Sequence, residues 1–85
     1  YDLGWEEDNK IWICEAKSTI NNETEQLRLG IGQILHYLYS SKKYNNEKET
    51  NGVLLVSKKP SEEVWNQICE ENSICLIWPP ENYDK

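Results

Sequence analysis

Ile11-Trp12-Ile13-Cys14-Glu15-Ala16-Lys17 is the stretch that decides the architecture. Its first half is β-branched and aromatic, the composition of a pleated, half-buried strand. Upstream stands a short aromatic segment, Tyr1 to Trp5, followed by Glu6-Glu7-Asp8-Asn9, in which Asp8 and Asn9 are turn formers. The two segments therefore read as the strands of an antiparallel hairpin. On the second strand Ile11, Ile13, Glu15 and Lys17 share one face, while Ala16 points the other way. The strand thus passes from apolar to charged along its length.

Downstream, a polar loop (Ser18 to Asn22) leads into a long helix over about Glu23 to Lys43, acidic in its first turn and ending in Lys42 and Lys43, as the helix dipole favours. Leu27, Ile31, Ile34, Leu35 and Leu38 fall on one side and form its core stripe. After a polar stretch from Tyr44 to Asn51, Val53 to Ser57 reads as a strand buried on both faces. A second helix starts around Pro60-Ser61-Glu62-Glu63 and runs to about Glu71, with Val64, Trp65 and Ile68 inward. Ile74 to Trp78 is a last strand, stopped by Pro79-Pro80. Hairpin, helix, strand, helix, strand makes an α/β domain with a mixed sheet and helices packed on it. Such a sheet lacks cover on one side, so an upstream element is expected.

The 85 residues suffice for one small domain, and no internal repeat divides them. The longest apolar run, Val53 to Val56, is far short of the roughly 20 residues a membrane span requires. No secretory leader is visible. The absence of Met, even at position 1, points to a piece of a larger protein. Cys14, Cys69 and Cys75 are an odd set without a CxxC pair, read as buried free thiols in a reducing, cytoplasmic setting rather than a disulfide frame or zinc site.

A carboxylate and an ammonium two residues apart, Glu15 and Lys17, are by themselves an ordinary ion pair at the end of a strand. Asp2 changes this. In a hairpin it faces the end of the second strand, where Glu15 sits, and neighbouring strands lie about 4.8 Å apart. Two carboxylates and a backbone carbonyl are hard ligands suited to Mg²⁺, a metal that polarises phosphate and acidifies water. On the long helix Gln26, Gly30, Gln33 and Tyr37 lie along one edge beside the core stripe, with Gln33 and Tyr37 stacked one turn apart. Gly30 and Gly32 each cost helix stability, which suggests close approach of another backbone or a ligand. His36 lies opposite the stripe, exposed. Gly30-x-Gly32 falls within a helix and is no dinucleotide fingerprint. The doublets Lys42/Lys43 and Lys58/Lys59 stand at element ends, where they are solvated or contact phosphates.

Asp2, twelve residues, Glu15-Ala16-Lys17, fifteen residues, then Gln33-Ile34-Leu35-His36-Tyr37 resembles the PD-(D/E)XK, or restriction endonuclease-like, nuclease superfamily, in the branch with a Gln-x-x-x-Tyr helix motif. The resemblance covers about residues 1 to 57, the core, with the helix and strand over 58–78 as its extension and 79–85 as a tail. It implies that Asp2, Glu15 and the Ala16 carbonyl ligate Mg²⁺ or Mn²⁺, and that Lys17 orients the attacking water or stabilises charge on the phosphate. It also implies that Gln33 and Tyr37 serve the metal surroundings or the DNA backbone. The expected fold is the superfamily's, without the helix and strand that normally precede the Asp. The expected activity is hydrolysis of DNA phosphodiester bonds, in defence, restriction or repair. Two departures stand out: Tyr1 occupies a frequent Pro position, and the upstream helix, a common source of a further acid, is absent. The alternatives are an inactive domain of this fold used for binding, or a small structural α/β interaction domain.

The net charge of −6 opposes DNA binding by the chain as a whole. Residues 1–60, however, hold 8 basic and 9 acidic side chains, whereas residues 61–85 hold 1 and 6. The acidity is concentrated away from the expected site.

Overall fold

Asp8 and Asn9 reverse the chain between its first two strands, both with positive φ, 49° and 65°. Asp and Asn tolerate the left-handed region, and two such residues in succession make the two-residue loop whose twist matches that of the flanking strands. The computed structural model describes residues 3–44 and 48–80. In it the turn joins β1 (Leu3–Glu7) to β2 (Lys10–Lys17), antiparallel, from Glu7 opposite Lys10 to Leu3 opposite Cys14. There follow α1 (Glu23–Tyr44), β3 (Glu49–Val56), α2 (Val64–Glu71) and β4 (Ile74–Ile77). The sheet order is β1-β2-β3-β4, with β3 parallel to both β2 and β4. This is the small α/β fold with a mixed sheet and two helices that the sequence predicts.

Two parallel crossovers that step in the same direction lay their helices on the same side of a sheet. Accordingly Leu27, Ile31, Ile34 and Leu38 of α1 and Trp65 and Cys69 of α2 share one core with Ile13, Leu54, Val56 and Ile74. Fully burying a side chain such as Leu27, Ile34 or Leu54 contributes about 1.5–3 kcal/mol. Gly30 lets α1 approach closely: a Cβ there would lie 2.7 Å from Leu54 Cδ1 and 3.1 Å from Lys17 Cγ. Gly52 does the same from the sheet, since its Cβ would run into Ile34 Cγ2. Gly32 does not share this role, having no atom within 4 Å of such a Cβ.

Five expectations are corrected. Leu35 is exposed, because the buried line of α1 follows 27, 31, 34 and 38 and leaves it at the margin. Val64 is exposed because α2 begins there, and Trp65 and Cys69, four apart, take the inward line. The third strand starts at Glu49, well inside the polar stretch, because Glu49 to Val56 pair in register with the whole of β2. It is buried on one face only, with Leu55 39% exposed. No described element covers the other face, where Leu3, Trp5, Leu55 and Ile77 are exposed and Trp5 stacks on Trp12 at 5.8 Å. Of the cysteines Cys14 and Cys69 are buried, whereas Cys75 is exposed. No helix among the described residues is long and apolar enough to cross a membrane.

Candidate functional site

The helix-covered face of β2 runs Ile11, Ile13, Glu15, Lys17, and the core does not end where the charges begin. Glu15 is only 2% exposed and stands opposite Leu54, which is fully buried. Lys17, the last residue of the strand and opposite Val56, brings its Nζ to 3.8 Å from Glu15 Oε1. That separation is charge contact without a direct hydrogen bond. A carboxylate taken this far out of water loses several kcal/mol of hydration, part of which the Lys17 ammonium at the solvent margin offsets. Apolar residues of similar size are commonly the more stable choice in such a place.

α1 returns over the strand in the opposite sense. Gly30 rests on Lys17 and Leu54, while Ile34 rests on Gly52, whose partner in β2 is Ile13. The intervening turn carries Gln33. Gln33 Oε1 is buried and accepts no hydrogen bond from a described residue. Tyr37, one turn further, is half-buried and packs against the core, with its ring 5.7 Å from that of exposed His36. Gln26 is half-buried on the same edge. The side chain of Ala16 points to the uncovered face.

Of the expected site residues, the fold brings Glu15 and Lys17 together, while Gln33 and Tyr37 are carried on α1, which packs on the same side of the sheet. Asp2 lies outside the described residues. Among those described, the strand pairing reaches Leu3 opposite Cys14, the immediate chain neighbours of Asp2 and Glu15. No group of three or more His, Cys, Asp or Glu side chains gathers as a metal site among the described residues. Glu15 offers carboxylate oxygens, hard donors that fit Mg²⁺ or Mn²⁺ and not a thiolate- or imidazole-seeking metal. A second carboxylate is needed to complete a typical set, and the expectation from the sequence assigns that part to Asp2.

The loops at this end of the sheet are tied together by contacts that the sequence reading missed. Thr19 N–H donates to Ser57 Oγ at 3.1 Å, joining the exits of β2 and β3. Glu23, in the first turn of α1, accepts hydrogen bonds from the Ser61 hydroxyl at 2.5 Å and from its backbone N–H at 3.2 Å. The Ser61 hydroxyl holds the Glu23 carboxyl below its ordinary pKa, against the opposing effect of burial, with help from the Ser61 N–H and the charge of Lys58. The sequence reading assigned Glu23 to the helix dipole and Ser61 to the start of α2; their long separation in the chain hid the contact. No protein-family model, no curated protein and no solved structure matches this chain.

Proposed function

We propose that this chain is a metal-dependent nuclease domain of the restriction endonuclease-like kind, hydrolysing DNA phosphodiester bonds, with defence, restriction or repair as its setting. The observation that carries the reading is Glu15: a carboxylate 2% exposed, embedded beside Leu54, with an ammonium 3.8 Å away. A charge pair inserted where the strand pattern calls for an apolar residue breaks the local rule, and such breaks concentrate at functional sites. The order of hairpin, helix, strand, helix and strand agrees with that superfamily's core from the hairpin onward.

Asp2, Glu15 and the Ala16 carbonyl would hold Mg²⁺ or Mn²⁺, which when bound polarises the phosphate and makes water acidic enough to attack at neutral pH. Lys17 would donate to the attacking water or to a non-bridging phosphate oxygen, where negative charge grows in the transition state. Glu15 both anchors that ammonium and keeps the site anionic enough to attract a cation. Gln33 and Tyr37 would offer an amide and a phenol along the same rim to orient the phosphate. The inactive alternative is favoured by one observation, that the described residues bring a single carboxylate to the site.

The test is cleavage of supercoiled plasmid by the purified chain with and without Mg²⁺. Cutting should require the metal and fall by about 100-fold or more in Glu15→Ala and Lys17→Ala, the scale of losing one electrostatic contact to the transition state. Cleavage that persists in either variant refutes the assignment. A folded chain that binds DNA in the presence of Mg²⁺ without cutting it supports the inactive alternative.

A further inference from the structure

The two lysine doublets look alike in sequence but occupy opposite ends of the sheet. Lys42 and Lys43 close α1, at the end where β2 and β3 begin. Two other lysines there are already engaged: Lys48 pairs with Glu6, and Lys10 lies 3.9 Å from Glu49. Lys58 and Lys59 follow directly on β3, whose last residue, Val56, is the partner of Lys17. They therefore emerge at the end that carries the Glu15–Lys17 pair. Both are exposed, and neither makes an ion pair with a described residue within 4.0 Å, although Lys58 lies close enough to Glu23 to lower its pKa. Glu23, the carboxyl that feels the Lys58 charge, is hydrogen-bonded by Ser61.

Ser57 immediately precedes the two lysines in the chain. Ser57 Oγ accepts the Thr19 N–H, which leaves the Ser57 hydroxyl proton to donate elsewhere. Ser57 and Ser18 line, with Ala16, Lys17, Leu55 and Val56, a depression of about 330 Å³ at the exits of the two parallel strands. In open parallel sheets the carboxyl ends of the strands are where ligands collect. The Lys17 ammonium and two hydroxyls at a shallow, open hollow, with Lys58 and Lys59 following Ser57 in the chain, suit the phosphates of a duplex, which are held by position and charge and not by base identity.

We infer that Lys58 and Lys59, with the Ser57 and Ser18 hydroxyls, form a DNA-backbone contact that holds phosphates flanking the one at Glu15 and Lys17. The inference rests on the nuclease reading for its ligand, and on the strand register for its geometry. It identifies which part of a chain with net charge −6 faces DNA.

The experiment measures binding of a fluorescein-labelled 20-base-pair duplex from 50 to 200 mM NaCl, using the full chain carrying Glu15→Gln so that DNA is not cut. Each phosphate contact contributes about 0.9 to the slope of log affinity against log salt. The Lys58→Gln/Lys59→Gln double variant should therefore flatten the slope by about 1.8, so that its affinity falls about 12-fold less than the parent's over that range. The matched Lys42→Gln/Lys43→Gln variant should leave the slope unchanged. Equal flattening by both doublets, no flattening by Lys58/Lys59, or no binding at about 100 µM chain, the weak end of nonspecific affinities, overturns the inference. All three proteins should share one thermal midpoint, since the lysines are exposed. Binding that depends on Lys58 and Lys59 in a chain that never cuts with Mg²⁺ would support the inference and overturn the nuclease reading. Cutting with a slope indifferent to Lys58 and Lys59 would do the reverse.

Discussion

Substituting alanine for Gly52 tests whether α1 lies on the sheet as closely as the core requires. The new methyl would press on Ile34 Cγ2, with Ile74 Cγ1 at 3.3 Å and Leu38 Cδ1 at 3.6 Å. Ile34 is fully buried and Ile74 is 5% exposed, so neither has open space to move into. Overpacking a close-packed core by one methyl costs about 1–3 kcal/mol. Alanine recovers about 0.5–1 kcal/mol of that, because it loses less backbone entropy than glycine in a strand. The net expectation, from the middle of the two ranges, is a loss of about 1 kcal/mol. Gly32→Ala is the matched control: its methyl meets nothing within 4 Å, on an exposed turn of α1, and should gain about 1 kcal/mol from helix propensity alone. At about 4–8 °C per kcal/mol for a domain of this size, the two variants should melt at least 6 °C apart, Gly32→Ala above the parent and Gly52→Ala below it. Thermal unfolding followed by circular dichroism, with urea unfolding as a second measure, reads the difference. A Gly52→Ala protein that melts at or above the parent midpoint refutes the contact between α1 and β3.

The cysteines and the loop clamp give two further tests. Burial pushes the Cys69 thiol up to about 11, with the Cys75 thiolate adding to the effect, so at pH 8 roughly one Cys69 in a thousand is the reactive thiolate. A thiol reagent at that pH should modify exposed Cys75 quickly and reach Cys14 and Cys69 only on unfolding; Cys69 labelled as fast as Cys75, by mass spectrometry, would contradict the buried α2 face. For Glu23, whose folded pKa is lowered, the linked stability is present above its ordinary value of 4.5 and is lost as the pH falls through the folded value. Ser61→Ala should move the Glu23 carboxyl titration upward by NMR, and an unmoved titration would refute the clamp.

The hairpin and both helices are legible because their signals are local. Asp8-Asn9 is turn chemistry between two β-rich runs, and the 27, 31, 34, 38 spacing is a helix face that needs no knowledge of its partner. The start of β3 is not legible in this way, because Glu49, Thr50 and Asn51 have little strand preference of their own. They are strand only because Lys10, Ile11 and Trp12 lie alongside in parallel register. Burial of β3 on one face depends on which side the crossovers place the helices, a property of the whole topology. At the site, the convergence of Glu15 and Lys17 follows from the period of two. The burial of Glu15 follows only from α1 resting on Leu54 and Lys17 through Gly30. The Thr19–Ser57 and Glu23–Ser61 contacts join residues 38 apart and leave no trace in local pattern.

The central claim is that the carboxylate of Glu15 is buried to serve a cation. Mn²⁺ binding followed by electron paramagnetic resonance tests it without requiring cleavage. Mn²⁺ should bind and be displaced by Mg²⁺, with an affinity about tenfold or more weaker in Glu15→Gln and in Asp2→Asn, at least the loss seen when groups that merely orient a ligand are removed. The fold of each variant is checked by circular dichroism. A Glu15→Gln protein, folded, that binds Mn²⁺ as tightly as the parent would contradict that claim.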